Sequence, residues 1–246
     1  MKQIGCAVDS SGLRYLGLEA EETQLRRGNR AMIALRREIA GVTVPDTALV
    51  ARAMEEARAV SEPYLFNHVV RSWLFAVHLA ELQNVSYDEE VVAVASLLHD
   101  VGLTKGYQGK RRFEVEGADM ARALVKAEGM DERRAQLIWY CVALNATLSI
   151  SPYAEPEVGI CTAGAGADYA GLLYERIPRA EAARILAAFP RLQMKRQLKE
   201  CLCVMAQARP ETTYDNFVRD FGERFVEGYK PTISTVDLLL NAPFDE

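Results

Sequence analysis

Histidine is scarce in this chain, with three among 246 residues, at positions 68, 78 and 99. Cysteine is present but not in metal-binding spacing. None of the five falls in a CxxC pair, Cys201 and Cys203 are one residue apart, and Cys141 and Cys161 sit in apolar helical surroundings. Reduced, mostly buried thiols in a reducing compartment are expected, rather than a disulfide framework or a cysteine zinc site. No stretch approaches the roughly 20 apolar residues a membrane span needs. The segment Met1–Asp9 has an acid too early for a signal peptide and lacks a long apolar region, so a cytoplasmic protein is expected. The net charge is only −5, which argues against a general nucleic-acid or anionic-membrane surface but leaves room for a local basic pocket. Internal repeats and low-complexity tracts are absent, and the strand signal is weak throughout.

What is present is helical pattern. Half of the residues are apolar and 26% are charged, enough for one large domain with a full core or for two small ones. Residues 1–18 read as an irregular arm and Glu19–Ala40 as one or two helices broken near Gly28-Asn29. Gly41–Pro45 is a connection, and Asp46 or Thr47 caps a helix over Ala48–Val60. Pro63 opens the next helix, and Tyr64–Gln83 repeats apolar residues at helical period. The run Val91–Leu98 could be a buried strand. Its acidic start and Gly102 at a C-cap position favour a helix. Further helices are expected over 113–128, 132–146 and 158–174, over 179–208 with a bend near Pro190, and over 212–228 and 234–240. The expected fold is all-α.

The apolar run 91–98 ends in His99-Asp100, two strong ligands for zinc, iron, manganese and related ions. Adjacent side chains on a regular helix diverge by ~100°. Both reach one ion only if it sits beside the helix end or if the helix loosens there, as Gly102 permits. His68 lies on the preceding helix and is the candidate partner. His78 is ten residues further on, or ~15 Å along a continuous helix, and cannot share an ion with His68. It reads as a packed histidine, and Trp73, Trp139 and Tyr140 read as core. The bland alternative for His99-Asp100 is a hydrogen-bonded helix terminus.

The order His68, His99-Asp100, Asp168 resembles the HD-domain superfamily of metal-dependent hydrolases, an all-helical fold with a His, His-Asp, Asp ligand pattern. Four blocks are similar to its cyanamide-hydratase-like branch: Phe66-Asn67-His68-Val-Val-Arg71, Leu97-Leu-His99-Asp100-Val-Gly102-Leu-Thr104, Arg112-Phe-Glu114-Val-Glu116-Gly-Ala118 and Gly164-Ala-Gly166-Ala-Asp168-Tyr-Ala-Gly171. The resemblance implies metal ligation by His68, His99, Asp100 and Asp168. It also implies an HD core over residues 61–180, with a helical extension at 1–60 packed on it and C-terminal helices of the same domain at 181–246. One departure stands out: Asn145 occupies the position after Ala-Leu where the branch usually has histidine, and an amide is a poor ligand for zinc or iron. With three histidines a His-rich two-metal centre cannot be assembled, so one divalent ion is expected, zinc first, with iron, manganese, cobalt or nickel as alternatives.

A divalent ion lowers the pKa of bound water, and Asp100 can also take the proton. The water then attacks a nitrile-like carbon, as in the hydratase branch, or a phosphate ester, as in other HD proteins. Lys105 and Glu114 join Asp100 as catalytic candidates. Lys105 could polarise a substrate, although loop lysines are usually solvated, and Glu114 could orient water or simply favour a helix N-terminus. Arg71, Asn145 and Thr147 are candidates for substrate contact, with Arg71 equally able to pair with a carboxylate such as Glu114 or Glu116. Lys110-Arg111-Arg112 is either a solvated run or a phosphate-binding feature. The expected function is a mononuclear hydrolase or hydratase acting on a small polar molecule. A phosphohydrolase and a catalytically reduced ligand-binding protein, the latter suggested by Asn145, are the alternatives. The expected partner is a small-molecule substrate rather than nucleic acid or a membrane, and the terminal segments could also form a homo-oligomer surface.

Overall fold

The computed structural model describes residues 38–106 and 109–244. The arm and most of the helix expected before residue 38 lie outside the described residues. The end of that expected helix is instead a two-stranded hairpin, β1 (Glu38–Ile39) and β2 (Val42–Thr43), paired antiparallel with Ile39 opposite Val42. Ala40 and Gly41 both take positive φ, 50° and 88°, which a tight hairpin turn requires and a helix forbids.

Ten α-helices follow among the described residues: α1 (Ala48–Val60), α2 (Pro63–Leu82), α3 (Glu89–Leu98), α4 (Phe113–Ala127), α5 (Glu132–Ala143), α6 (Pro156–Ala170), α7 (Arg179–Ala188), α8 (Met194–Ala208), α9 (Val218–Phe225) and α10 (Thr235–Leu240). The all-α expectation holds. Capping side chains start several of them: Thr47 accepts from Val50 N–H, Asp88 from Val91 N–H and Asp131 from Arg134 N–H. None of the described helices is long and apolar enough to cross a membrane.

Helix α2 is buried over most of its length and is the axis of the bundle. It runs against α6 in antiparallel register, and Gly164 makes the close approach. A Cβ there would lie 2.2 Å from the Ser72 carbonyl oxygen and 2.6 Å from Ala76 Cβ. One turn away on each helix, the same register brings His68 opposite Asp168. Helix α3 fills the other side of α2. Its start is fastened by Arg134 of α5, which donates to Asp88 at 2.7 and 2.9 Å and to Glu90 at 2.7 Å.

Two expectations are corrected here. Gly102 is not a C-cap. His99 caps α3 in right-handed geometry, and Gly102 lies in a 3₁₀ turn (Val101–Leu103). A Cβ on Gly102 would meet the Phe113 carbonyl oxygen at 1.9 Å, so its task is contact with the start of α4. The long helix expected over 179–208 is two helices. Leu192 and Gln193 both take positive φ between them, and the carbonyls freed at the break are bound, Phe189 O by Arg71 and Pro190 O by Asn67 and Arg71. A second apolar cluster, including Leu103, Phe113, Met194, Leu198 and Val218, seats α8 and α9 over the ends of α2 and α3.

Gly164→Ala is expected to destabilise the protein by about 2–3 kcal/mol or more, because the backbone of α2 blocks the added methyl. Gly106→Ala, which meets nothing within 4 Å, should stay within ~0.5 kcal/mol. Urea denaturation of the two variants checks the contrast.

Candidate metal centre

Three ligand atoms from two helices converge where α3 ends. His99 Nε2 lies 3.3 Å from His68 Nε2, and Asp100 Oδ2 lies 3.4 Å from each of them. All three residues are buried. Two adjacent residues reach one point because the helix stops at Leu98. Asp100 has left helical geometry, with φ −109° and ψ 10°, before the 3₁₀ turn begins.

The outer nitrogens decide what these atoms offer. His99 Nδ1 is 2.7 Å from the Ser96 carbonyl, and His68 Nδ1 is 2.7 Å from Asp168 Oδ2. Each contact requires an N–H on Nδ1, which leaves both Nε2 lone pairs facing the Asp100 oxygen. Three electron-rich atoms within 3.4 Å need positive charge among them. A divalent ion with bonds of ~2.0–2.2 Å would hold neighbouring ligand atoms roughly 3.0–3.5 Å apart, so the three residues fit such an ion. In its absence a proton takes the place. Burial opposes charge on His68, but hydrogen bonds to Asp100 and Asp168 overcome it and raise its pKa to about 9. Burial lowers that of His99, and the neighbouring His68 charge adds to this. Burial works against the Asp100 charge, yet the two imidazoles hold its pKa below the usual carboxylate value.

Asp168, expected as a further ligand, lies outside the group formed by His68, His99 and Asp100. It stands behind His68, and its oxygens are already engaged. Arg71 donates to Oδ1 and Oδ2 at 2.7 and 2.8 Å, and Arg191 donates to Oδ1 at 3.0 Å. Burial raises the Asp168 pKa, but hydrogen bonds from His68 and Arg71 outweigh it, and the group stays ionised far below its usual range. A carboxylate on the outer nitrogen of a ligating histidine fixes tautomer and ring orientation.

The other candidates divide. Asn145 donates through Nδ2 to the His99 carbonyl at 3.1 Å and to that of Val142 at 2.9 Å, and it lines the adjoining cavity. Two carbonyl partners demand the NH₂ on that side, which turns the amide oxygen elsewhere. Asn145 therefore braces the loosened end of α3. Arg71 is fully buried against Asp168 and is not part of the cavity lining, and the pairing with Glu114 or Glu116 does not form. Lys105 is exposed and is not part of the cavity lining. Glu114 is fully buried, pairs with Arg112 at 2.8 Å and accepts from Asn216 at 3.3 Å, so it anchors α4 and the segment before α9 rather than touching the site. Thr147 lies in the turn after α5, outside the cavity lining. The two arginines of the basic loop are spent on neighbours, Arg111 on Glu116 and Asp119 and Arg112 on Glu114 and Asp215. His78 faces a different cleft, with Glu81 at 3.5 Å and Glu181 at 4.0 Å.

The cluster opens into a cavity of about 310 Å³. Its walls are mostly apolar, from Leu103, Ala165, Leu172 and Leu198, and its outer part is aromatic, from Tyr169, Phe217 and Phe221. Asp220 is also there. Burial and the nearby charges of Asp220 and Asp100 raise the Tyr169 hydroxyl pKa. Among the described residues lining the cavity there is no lysine or arginine. Ser96, Arg191 and the aromatic rim were not anticipated. The spacing Phe217, Phe221, Phe225 at every fourth residue was the available signal for the rim.

Protein purified without added metal and then given zinc, iron or manganese should bind about one ion per chain. His99→Ala should abolish that binding and His78→Ala should retain it, as read by elemental analysis; equal loss in both would place the ion elsewhere. Arg71→Ala should cost about 3–5 kcal/mol in denaturant unfolding, because it strands a buried carboxylate.

A search of curated proteins finds no match to the chain. Residues 65–157, which contain His68, His99 and Asp100, match the family model of the HD domain. This match supports the HD-domain superfamily for the segment that carries the cluster and with it a hydrolase-type activity dependent on a divalent metal.

Proposed function

We propose that the protein is a mononuclear metal-dependent hydrolase or hydratase that adds water to an electrophilic carbon of a small substrate without a phosphate group. The observation that carries this is the cavity lining. A phosphate ester brings up to two negative charges and is ordinarily held by arginine, lysine or clustered N–H donors. The described lining supplies none of those side chains. It supplies apolar walls, aromatic rings and the carboxylates of Asp100 and Asp220.

His68, His99 and Asp100 would hold the ion, which when bound supplies a water of lowered pKa and a Lewis-acid contact for the substrate. Asp168, itself clamped by Arg71, keeps the His68 ring oriented and its Nε2 lone pair available. Asn145 keeps the His99 backbone in place. Both short contacts of Asp100 use Oδ2, and its second oxygen would accept the proton of the attacking water. Water would add across a carbon–nitrogen multiple bond, with oxygen bonding to carbon and the protons finishing on nitrogen and oxygen, and the product relaxes to an amide or urea. This is the reaction suggested by the likeness to the cyanamide-hydratase-like branch. The buried, apolar walls limit competing solvent.

A panel of small nitriles, cyanamide among them, set against phosphomonoesters in metal-loaded protein tests the reading. Turnover is expected on the nitrile side and should fall at least ~100-fold in Asp100→Asn. Turnover confined to the phosphomonoesters would overturn the reading and favour the phosphohydrolase expected of many HD proteins.

A further inference from the structure

The mouth of the cavity differs in chemistry from its floor. Tyr169, at the end of α6, and Phe217 stand with ring centroids 6.0 Å apart at 65°, and Phe217 and Phe221 stand 6.3 Å apart at 76°. These are edge-to-face arrangements, and all three rings line the cavity. Asp220 belongs both to the cavity and to the outer groove that continues along Glu223, Arg224 and Phe225, which places it where the cavity opens.

Asp220 also differs from the acids around it. Glu223 is paired with Arg219 at 2.6 Å, and Asp215 with Arg112 at 3.3 Å. The Asp220 carboxylate has no hydrogen bond or ion pair among the described residues. Of the basic side chains nearby, Arg224 shares the outer groove and forms no ion pair with Asp220, and the others are directed elsewhere. Arg191 is spent on Asp168, and the Lys199 ammonium lies 5.0 Å from the Phe225 ring centroid. Arg191, Lys195 and Lys199 line a separate cleft on the far side of Tyr169, Leu198 and Phe221.

We propose that Tyr169, Phe217, Phe221 and Asp220 form a cation subsite, so that the substrate carries a quaternary or protonated amine at one end and its reacting group at the other. Aromatic faces attract a cation through their quadrupoles, and one carboxylate among them adds charge recognition. The arrangement also sets polarity along the cavity. A divalent ion at the floor repels a cationic group, while the mouth attracts it, so the neutral, electrophilic end is directed to the metal centre. The inference rests on the proposed function for what happens at the floor, but binding at the mouth is separable from it.

The test uses two probes of the same shape, choline and 3,3-dimethylbutan-1-ol, which differ by the charge on one atom. A quaternary nitrogen cannot ligate a metal, and the hydroxyl that could is common to both probes, so the difference between them reports on the mouth. Calorimetric titration of the metal-loaded chain should give at least about tenfold tighter binding for choline than for the alcohol. Asp220→Asn should bring the two within about twofold while metal content stays unchanged, and Phe221→Leu should weaken choline more than the alcohol. Equal affinity for the two probes in the unaltered protein, or an unchanged preference in Asp220→Asn, would overturn the subsite. Charge-dependent binding in a protein that turns over no nitrile supports the subsite and counts only against the reaction proposed above. Nitrile turnover without charge-dependent binding counts only against the subsite.

Discussion

A single ionised carboxylate, Asp168, with almost no access to water, is the constraint on which the centre depends. Left alone at that depth it would take up a proton or unfold its surroundings. It remains charged because Arg71 grips it with two parallel hydrogen bonds, Arg191 adds a third and His68 a fourth. Those bonds join α2, α6 and the break between α7 and α8, so the charge that orients the metal-facing imidazole also ties three parts of the bundle together. The close crossing at Gly164 is the steric condition for it: only there can α2 and α6 approach enough for His68 and Asp168 to meet.

The second condition is the loosened end of α3. On a regular helix His99 and Asp100 would point a quarter-turn or more apart. The change of backbone geometry at Asp100 lets both reach one point, and that irregular backbone is braced rather than left free. Asn145 holds the His99 carbonyl, and the Gly102 turn sits against the start of α4. The residue that looked like a missing ligand thus has a structural task.

Much of this was legible in the residues. Period and caps marked the helices: α1 and α2 begin where Thr47 and Pro63 suggested, and α3 has the acidic start that favoured a helix over a strand. The separation of His78 followed from spacing, whereas the convergence of His68 with His99-Asp100 was left open by spacing and implied by the family resemblance. Spacing could not say which imidazole nitrogen meets Asp168, and the structure sets it against the outer one. Nor could it tell a buried arginine from one that faces a ligand. Arg71, Lys105 and Glu114 lie close in sequence to the cluster, but burial, exposure and local ion pairs took each of them away from it. The rim escaped notice because Phe217, Asp220 and Phe221 follow the cluster by more than a hundred residues, and only the docking of α8 and α9 brings them back.

That docking has an evolutionary consequence. The ligand-bearing floor is built from α2 and α3, while much of the mouth is contributed by a short amphipathic helix far along the chain. Substitutions along one face of α9 can redraw what enters the cavity without touching a ligand, a tautomer or the clamp on Asp168. The residues able to hold a metal and those that shape the opening therefore lie on separate stretches of sequence, free to vary independently.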